Sequence, residues 1–190
     1  APINPLESTR IVSIDPIIQF GSIDRIVISH LLPQGALPDV VPYHNPYGGW
    51  PGDPSWGTAG AVIPREIVVT RGETATPATY QVTRSLVDFF NSHGDSKTGG
   101  VLTFGYYGDW LDLAPHTPRP QVTGWSHLLS IHRLVEIAHA SGHADDVAKY
   151  NATLQTLKAA YHKAYWDPST QSYGASQVIP KRVLISKNHF

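Results

Sequence analysis

Between residues 121 and 166 apolar side chains recur at helical spacing in two long runs, and only Ser141-Gly142-His143 separates them. Val122, Trp125, Leu128, Leu129, Val135 and Ala138 mark one face of the first run; Val147, Leu154, Leu157, Tyr161 and Ala164 mark the second. That period predicts two amphipathic helices, over 121–140 and 144–166. Gly142 stops the first, and so short a joint turns the second back antiparallel. A chain of 190 residues that contains such a hairpin must bury its remaining apolar faces against it or against further helices.

Two more helices are expected upstream. Thr76 is a suitable N-cap with Pro77 at the first helical position, and the pattern runs to His93 before Gly94 ends it. Val82, Leu86, Phe89 and Phe90 form its apolar stripe. A helix over 59–70 would bury Val62, Ile63, Ile67 and Val68, which requires Pro64 to sit in the first turn. Residues 1–30 hold two apolar stretches, one broken by Pro16, that fit short strands or helix pieces and are read as helix. Two loops complete the chain. One spans 32–54 and carries Pro33, Pro38, Pro42, Pro46, Pro51 and Pro54; the other spans 95–120 and carries Phe104, Tyr106, Tyr107, Asp109 and Trp110. Each precedes a pair of helices, so the organisation repeats without an exact sequence repeat. The expected fold class is all-α, a toroid of helical hairpins with its long aromatic loops gathered at one end around a shared pocket.

The stretch 48–66 is the densest in candidate site residues. Five glycines and Pro51, Pro54 and Pro64 shape it, and Trp50 and Trp56 flank Asp53. Flat rings suit the apolar faces of a sugar and a carboxylate suits its hydroxyls; the same tryptophans would also serve as ordinary core plugs. Asp109 and Trp110 repeat the pairing in the second loop, where Asp109 would equally suit loop bracing or helix capping and Trp110 core packing.

Composition excludes several classes. The net charge of −1 points to no nucleic-acid or membrane-surface partner. With no cysteine there is neither disulfide framework nor thiol chemistry, and either redox compartment is allowed. No apolar run approaches a span of roughly 20 residues, and the N-terminus does not read as a signal peptide. The chain holds no Met, even at position 1, and is read as a processed product or a piece of a longer gene. His127, His132 and His139 share a helix at spacings of five and seven, not the i, i+4 pair that seats a metal; neither metal nor cofactor is expected. Asn151-Ala152-Thr153 is a glycosylation pattern in mid-helix, and Asp145-Asp146 suits a helix start. Glu66 and Glu73 are the glutamates near the tryptophan loops, and Glu66 is explained by the first turns of a helix. No Gly-x-Ser-x-Gly elbow supports a serine nucleophile.

The order of short motifs resembles a known family. Gly35-Ala36-Leu37-Pro38-Asp39-Val40-Val41-Pro42 is followed by Asp53-Pro54-Ser55-Trp56-Gly57-Thr58-Ala59, then Gly108-Asp109-Trp110-Leu111, then a helix pair closing on Tyr173-Gly174-Ala175-Ser176-Gln177. Together they resemble the catalytic domain of bacterial-type α-L-rhamnosidases, glycoside hydrolase family 78, whose fold is a six-hairpin (α/α)6 barrel. The resemblance implies inverting hydrolysis of terminal α-L-rhamnosides without a metal, by a carboxylic acid and a carboxylate roughly 6.5–9.5 Å apart. It makes Asp53, Trp56, Asp109 and Trp110 sugar-binding positions.

The same resemblance leaves the catalytic residues unknown. The family's general acid lies in a motif like Asp-Glu-Arg-x-Gly-Trp-Thr-Gly-Asp before the Leu-Pro-Asp segment, and its base lies well beyond the Tyr-Gly-x-x-Ser-Gln segment. Neither position is matched here. Gly49-Trp50-Pro51-Gly52-Asp53 imitates part of the acidic motif, but after Leu37-Pro38-Asp39 and with no Glu between Tyr43 and Gly48. Thr58 stands where the family often has Asp, and Arg65 where it often has Trp. Residues 35–177 are thus expected to form a partial six-hairpin domain, between a poorly patterned segment 1–34 and a tail 178–190. Its expected partner is a rhamnose-containing glycoside. The alternatives are a non-catalytic carbohydrate-binding or degenerate module, and a six-hairpin glycosidase for another sugar.

Overall fold

Asp53 opens the first helix of the computed structural model, which describes residues 35–39, 52–70, 72, 75–109 and 117–173. The readings of 1–34 and 178–190, and the side chains of Trp50, Glu73 and Trp110, lie outside the described residues. Within them the elements are α1 (Pro54–Gly57), α2 (Ala59–Arg65), α3 (Pro77–Ser92), α4 (Arg119–Ala140) and α5 (Ala144–Tyr165), followed by the short strands β1 (Trp166–Asp167) and β2 (Ser172–Tyr173). A π-helical turn, Glu66–Thr70, extends α2, and a 3-10 turn, Ser96–Thr98, follows α3. No helix among the described residues is long and apolar enough to cross a membrane.

The helix expected over 59–70 forms as α2 and its π-helical extension. A short helix not expected from the sequence precedes it: α1 begins at Pro54 because Asp53 is an N-cap whose carboxylate accepts the Ser55 N–H at 2.9 Å while Pro54 supplies the first helical φ. Pro64, expected in a first turn, sits inside α2. Proline has no N–H to give to the carbonyl four residues back. That carbonyl, on Gly60, instead accepts the buried Thr83 hydroxyl of α3 at 2.9 Å. Gly60 also lets Leu37 approach: a Cβ there would stand 2.2 Å from Leu37 Cδ1.

α3 forms as its caps predict. The Thr76 hydroxyl accepts the Thr79 N–H at 3.1 Å, and Val82, Leu86, Phe89 and Phe90 are all buried. Leu86, Phe89 and Phe90 make one apolar cluster with Ala36, Leu37 and Leu102.

α4 is the helix the others pack on, touching α1, α2, α3 and α5. Its buried face differs from the expected stripe. Leu128 and Ala138 are buried as expected, but Val122, Trp125, Leu129 and Val135 are only half-buried, while Ile131, Leu134 and Ile137 are fully buried. The reason is that α4 is covered on more than one side, so its small and polar residues Thr123, Gly124, Ser126 and Ser130 also lie at contacts. Gly124 lies close to α5 and to the loop after α3: a Cβ would meet Val101 at 2.7 Å and the Tyr161 ring at 3.1 Å.

α5 buries Tyr150, Leu154, Leu157 and Tyr161 against α4; Ala164, expected on that stripe, is exposed in the last turn. The helix ends at Tyr165; Trp166, expected as its last residue, instead starts a two-residue antiparallel ladder in which Trp166-Asp167 pairs with Ser172-Tyr173. The α3–α5 side is polar. Tyr150 donates to Asp88 at 2.7 Å, Tyr80 donates to Asp146, and Arg84 lies 3.7 Å from Asp146. Asp146 thus does more than complement the helix dipole. Burial first, and then the bond to Asp146, raise the Tyr80 hydroxyl above its ordinary range.

Candidate functional site

Two carboxylates join the loop before α1, α1 itself and the aromatic loop before α4. Asp53 is 1% exposed. Its Oδ1 accepts the Ser55 N–H and hydroxyl; its Oδ2 accepts the N–H groups of Tyr106 and Tyr107, the latter at 3.1 Å. Asp39 divides its oxygens in the same way: Oδ1 accepts the Asp53 N–H and Oδ2 accepts the Tyr107 hydroxyl at 3.1 Å. Each carboxylate thus holds α1 with one oxygen and the aromatic loop with the other. Buried N–H groups of an irregular loop need acceptors, and these two side chains supply them.

Glycines permit the approach. A Cβ on Gly52 would lie 1.9 Å from the Leu37 carbonyl oxygen, and one on Gly105 2.4 Å from Thr123 Oγ1 and 3.3 Å from Asp53 Oδ2. Gly108 has φ +61°, the left-handed region, with Arg119 packed against it.

The frame presents aromatic surface. Trp56, in α1, is 38% exposed, and its ring lies 4.9 Å from that of Tyr107 at an interplanar angle of 37°. Of the residues singled out in the sequence, Asp53 and Trp56 are thereby brought together with Tyr106 and Tyr107. Asp109, half-buried, follows Gly108, and its Oδ2 accepts the Thr117 N–H at 2.7 Å. Trp110 lies outside the described residues. Asp39 and Tyr107 were not among the expected site residues. Their signal was present, since Asp39 ends the Leu37-Pro38-Asp39 string and Tyr107 adjoins Gly108-Asp109.

The two departures from the motif pattern are both engaged with α4. Thr58 is buried, donates to the Pro54 carbonyl at 2.8 Å and accepts from Ser130 at 3.3 Å. Arg65 grips Glu136 with two bonds, Nη2 to Oε1 at 2.9 Å and Nε to Oε2 at 3.2 Å, and Glu66 pairs back to Arg65 at 3.0 Å. Burial raises the Glu136 pKa, but the bonds from Arg65 and Arg133 outweigh it and hold the carboxyl below its ordinary value.

His127 belongs to the core. It is fully buried, Nδ1 accepts the Leu102 N–H at 3.4 Å, and the remaining ring proton on Nε2 faces Asn91 Oδ1 at 3.0 Å. Burial pushes its pKa down to about 4, so the ring is neutral at pH 7. His132 sits 3.5 Å from Glu136 and His139 is exposed. Among the described residues no group of three or more His, Asp or Glu side chains could hold a metal ion.

The family model described as the bacterial alpha-L-rhamnosidase 6 hairpin glycosidase domain matches residues 20–183. The chain belongs to that family. The α-L-rhamnosidase from Dictyoglumus thermophilum shares the six-hairpin fold with it: TM-score 0.67 over 78% of this chain, at 21% identity. The chain spans 17% of that protein's length. No curated protein sequence matches it. The rhamnosidase family's all-α hairpin architecture agrees with the helical elements described above, and the small β1–β2 ladder follows α5.

Proposed function

We propose that this chain supplies the sugar-holding part of an α-L-rhamnosidase that hydrolyses terminal α-L-rhamnosides with inversion. The observation that carries the reading is the exposed Trp56 ring seated against Tyr107 on a frame locked by Asp39 and Asp53. Family membership supports it. Trp56, Asp109 and Trp110 are assigned to the sugar: the rings take its apolar C–H faces and the carboxylate its hydroxyls. Asp53 serves the same site by fixing the α1 terminus and the backbone of the aromatic loop, since four protein donors already converge on its two oxygens.

Proton transfer is assigned to carboxylates outside these 190 residues. Inverting hydrolysis needs a protonated acid on one side of the scissile bond and a base with room for water on the other. Glu66, the one described glutamate beside the tryptophan loop, is exposed and spends its carboxylate on the pair with Arg65 at 3.0 Å.

Calorimetric titration with methyl α-L-rhamnoside tests the assignment. Binding by the wild-type chain, weakened in both Trp56→Ala and Asp109→Asn, is the expected result. Equal affinity in either variant removes that residue from the site.

A further inference from the structure

The sugar-facing ring is assigned to Trp56, and Tyr107 packs directly against that indole. Its backbone N–H is held by Asp53 at 3.1 Å and its hydroxyl by Asp39 at 3.1 Å, so the residue is fixed at both ends. Both carboxylates also bind the α1 terminus, Asp53 through Ser55 and Asp39 through the Asp53 N–H. The Tyr107 ring and the helix that carries Trp56 are therefore tied to one rigid frame, and the rings meet at 4.9 Å.

We infer that Tyr107 is a positioning residue for the Trp56 indole, and that the Asp39–Tyr107 hydrogen bond sets the affinity of the sugar site by fixing the tilt between the two rings. The inference rests on the sugar-site reading. The physical ground is preorganisation: a ring already held in its bound orientation loses less freedom when a ligand stacks on it. The hydroxyl proton goes to Asp39, which leaves the Tyr107 oxygen able to accept a hydrogen bond but not to donate a second.

The test uses the full chain with methyl α-L-rhamnoside as probe, and the indole N–H signal of Trp56, assigned by its loss in Trp56→Phe, as the spectroscopic readout. Tyr107→Phe keeps the ring and the Asp53 bond and removes only the Asp39 anchor. It is expected to weaken the probe about three- to fivefold, to move the Trp56 signal, and to leave the circular dichroism spectrum unchanged. Asp39→Asn keeps a carbonyl oxygen for the Asp53 N–H but loses the second acceptor, and is expected to move the same signal. Tyr107→Phe with wild-type affinity, or with an unmoved Trp56 signal, overturns the inference. Failure of the wild-type chain to bind the probe counts against the sugar site itself. The Trp56 signal in Tyr107→Phe then decides the positioning relation alone: displaced, it stands; unmoved, it falls.

Discussion

Asp53 and Tyr107 stand 54 residues apart in sequence and one hydrogen bond of 3.1 Å apart in space. The same carboxylate caps α1, so a single side chain ends a loop, starts a helix and holds a second loop against it. The site depends on this economy. Trp56 is displayed because α1 begins at Pro54, and Tyr107 reaches it because Asp53 accepts its backbone.

Asp53→Ala removes the cap and strands buried N–H groups, and should cost about 3–5 kcal/mol of folding stability. Asp53→Asn keeps one acceptor oxygen and should cost about 2 kcal/mol. Urea denaturation followed by circular dichroism measures both; a loss under 1 kcal/mol for Asp53→Ala, well below the usual range for a buried network, would contradict the frame.

Thr83 and Pro64 should be coupled. Thr83→Val leaves the Gly60 carbonyl without its donor and should cost about 1–2 kcal/mol. Pro64→Ala restores an N–H to the same carbonyl, so Thr83→Val should cost less in that background. A double-mutant cycle reads the difference directly, and strict additivity would show that the two groups do not share the carbonyl.

Gly124→Ala sets two effects against each other. Helix propensity favours Ala by about 1 kcal/mol. The new methyl would meet Val101 at 2.7 Å and Tyr161 at 3.1 Å, and overpacking of that kind costs about 1–3 kcal/mol. The contact with Val101, a fully buried residue of the loop after α3, is too close to be relieved without shifting that loop, so a net loss is expected in thermal melts. A stabilised variant would show that the loop gives way at little cost.

His127 should make the fold acid-sensitive. Its pKa is pushed by burial from the ordinary 6.5 down to about 4. Between those values the unfolded chain binds a proton that the folded chain refuses, so stability rises with pH across the window. The contribution is complete above about pH 6.5, is lost by about pH 4, and totals about 3 kcal/mol. His127→Gln does not titrate. Its melting temperature should fall less between about pH 6.5 and about pH 4.5 than that of the wild type; parallel curves would mean that the ring is not buried neutral.

The sequence made the hairpin legible because two runs of helical period flank one glycine, and α3 because Thr76-Pro77 is a cap followed by a first helical residue. α1 was hidden for a local reason. Four residues are too few to show a period, and Gly57 and Pro54 read as loop until Asp53 is seen as the cap. The buried face of α4 was misplaced because amphipathic reasoning looks for one apolar stripe, whereas α4 is packed on more than one side and uses Thr123, Gly124, Ser126 and Ser130 at its contacts. In the site, Asp53 and Trp56 stood out by residue type. Asp39 and Tyr107 did not: each lies in or beside a motif string, but the contact between them spans 68 residues and shows only in the fold.

The most direct measurement combines binding and turnover on one ligand. The purified chain is incubated with p-nitrophenyl α-L-rhamnoside, and both its affinity and the release of nitrophenolate are followed, with Glu66→Gln and Glu73→Gln alongside. Binding without release is expected, with the glutamate variants unchanged. Release that disappears in either variant would show that the chain carries its own acid, and absence of binding would remove the sugar site around Trp56.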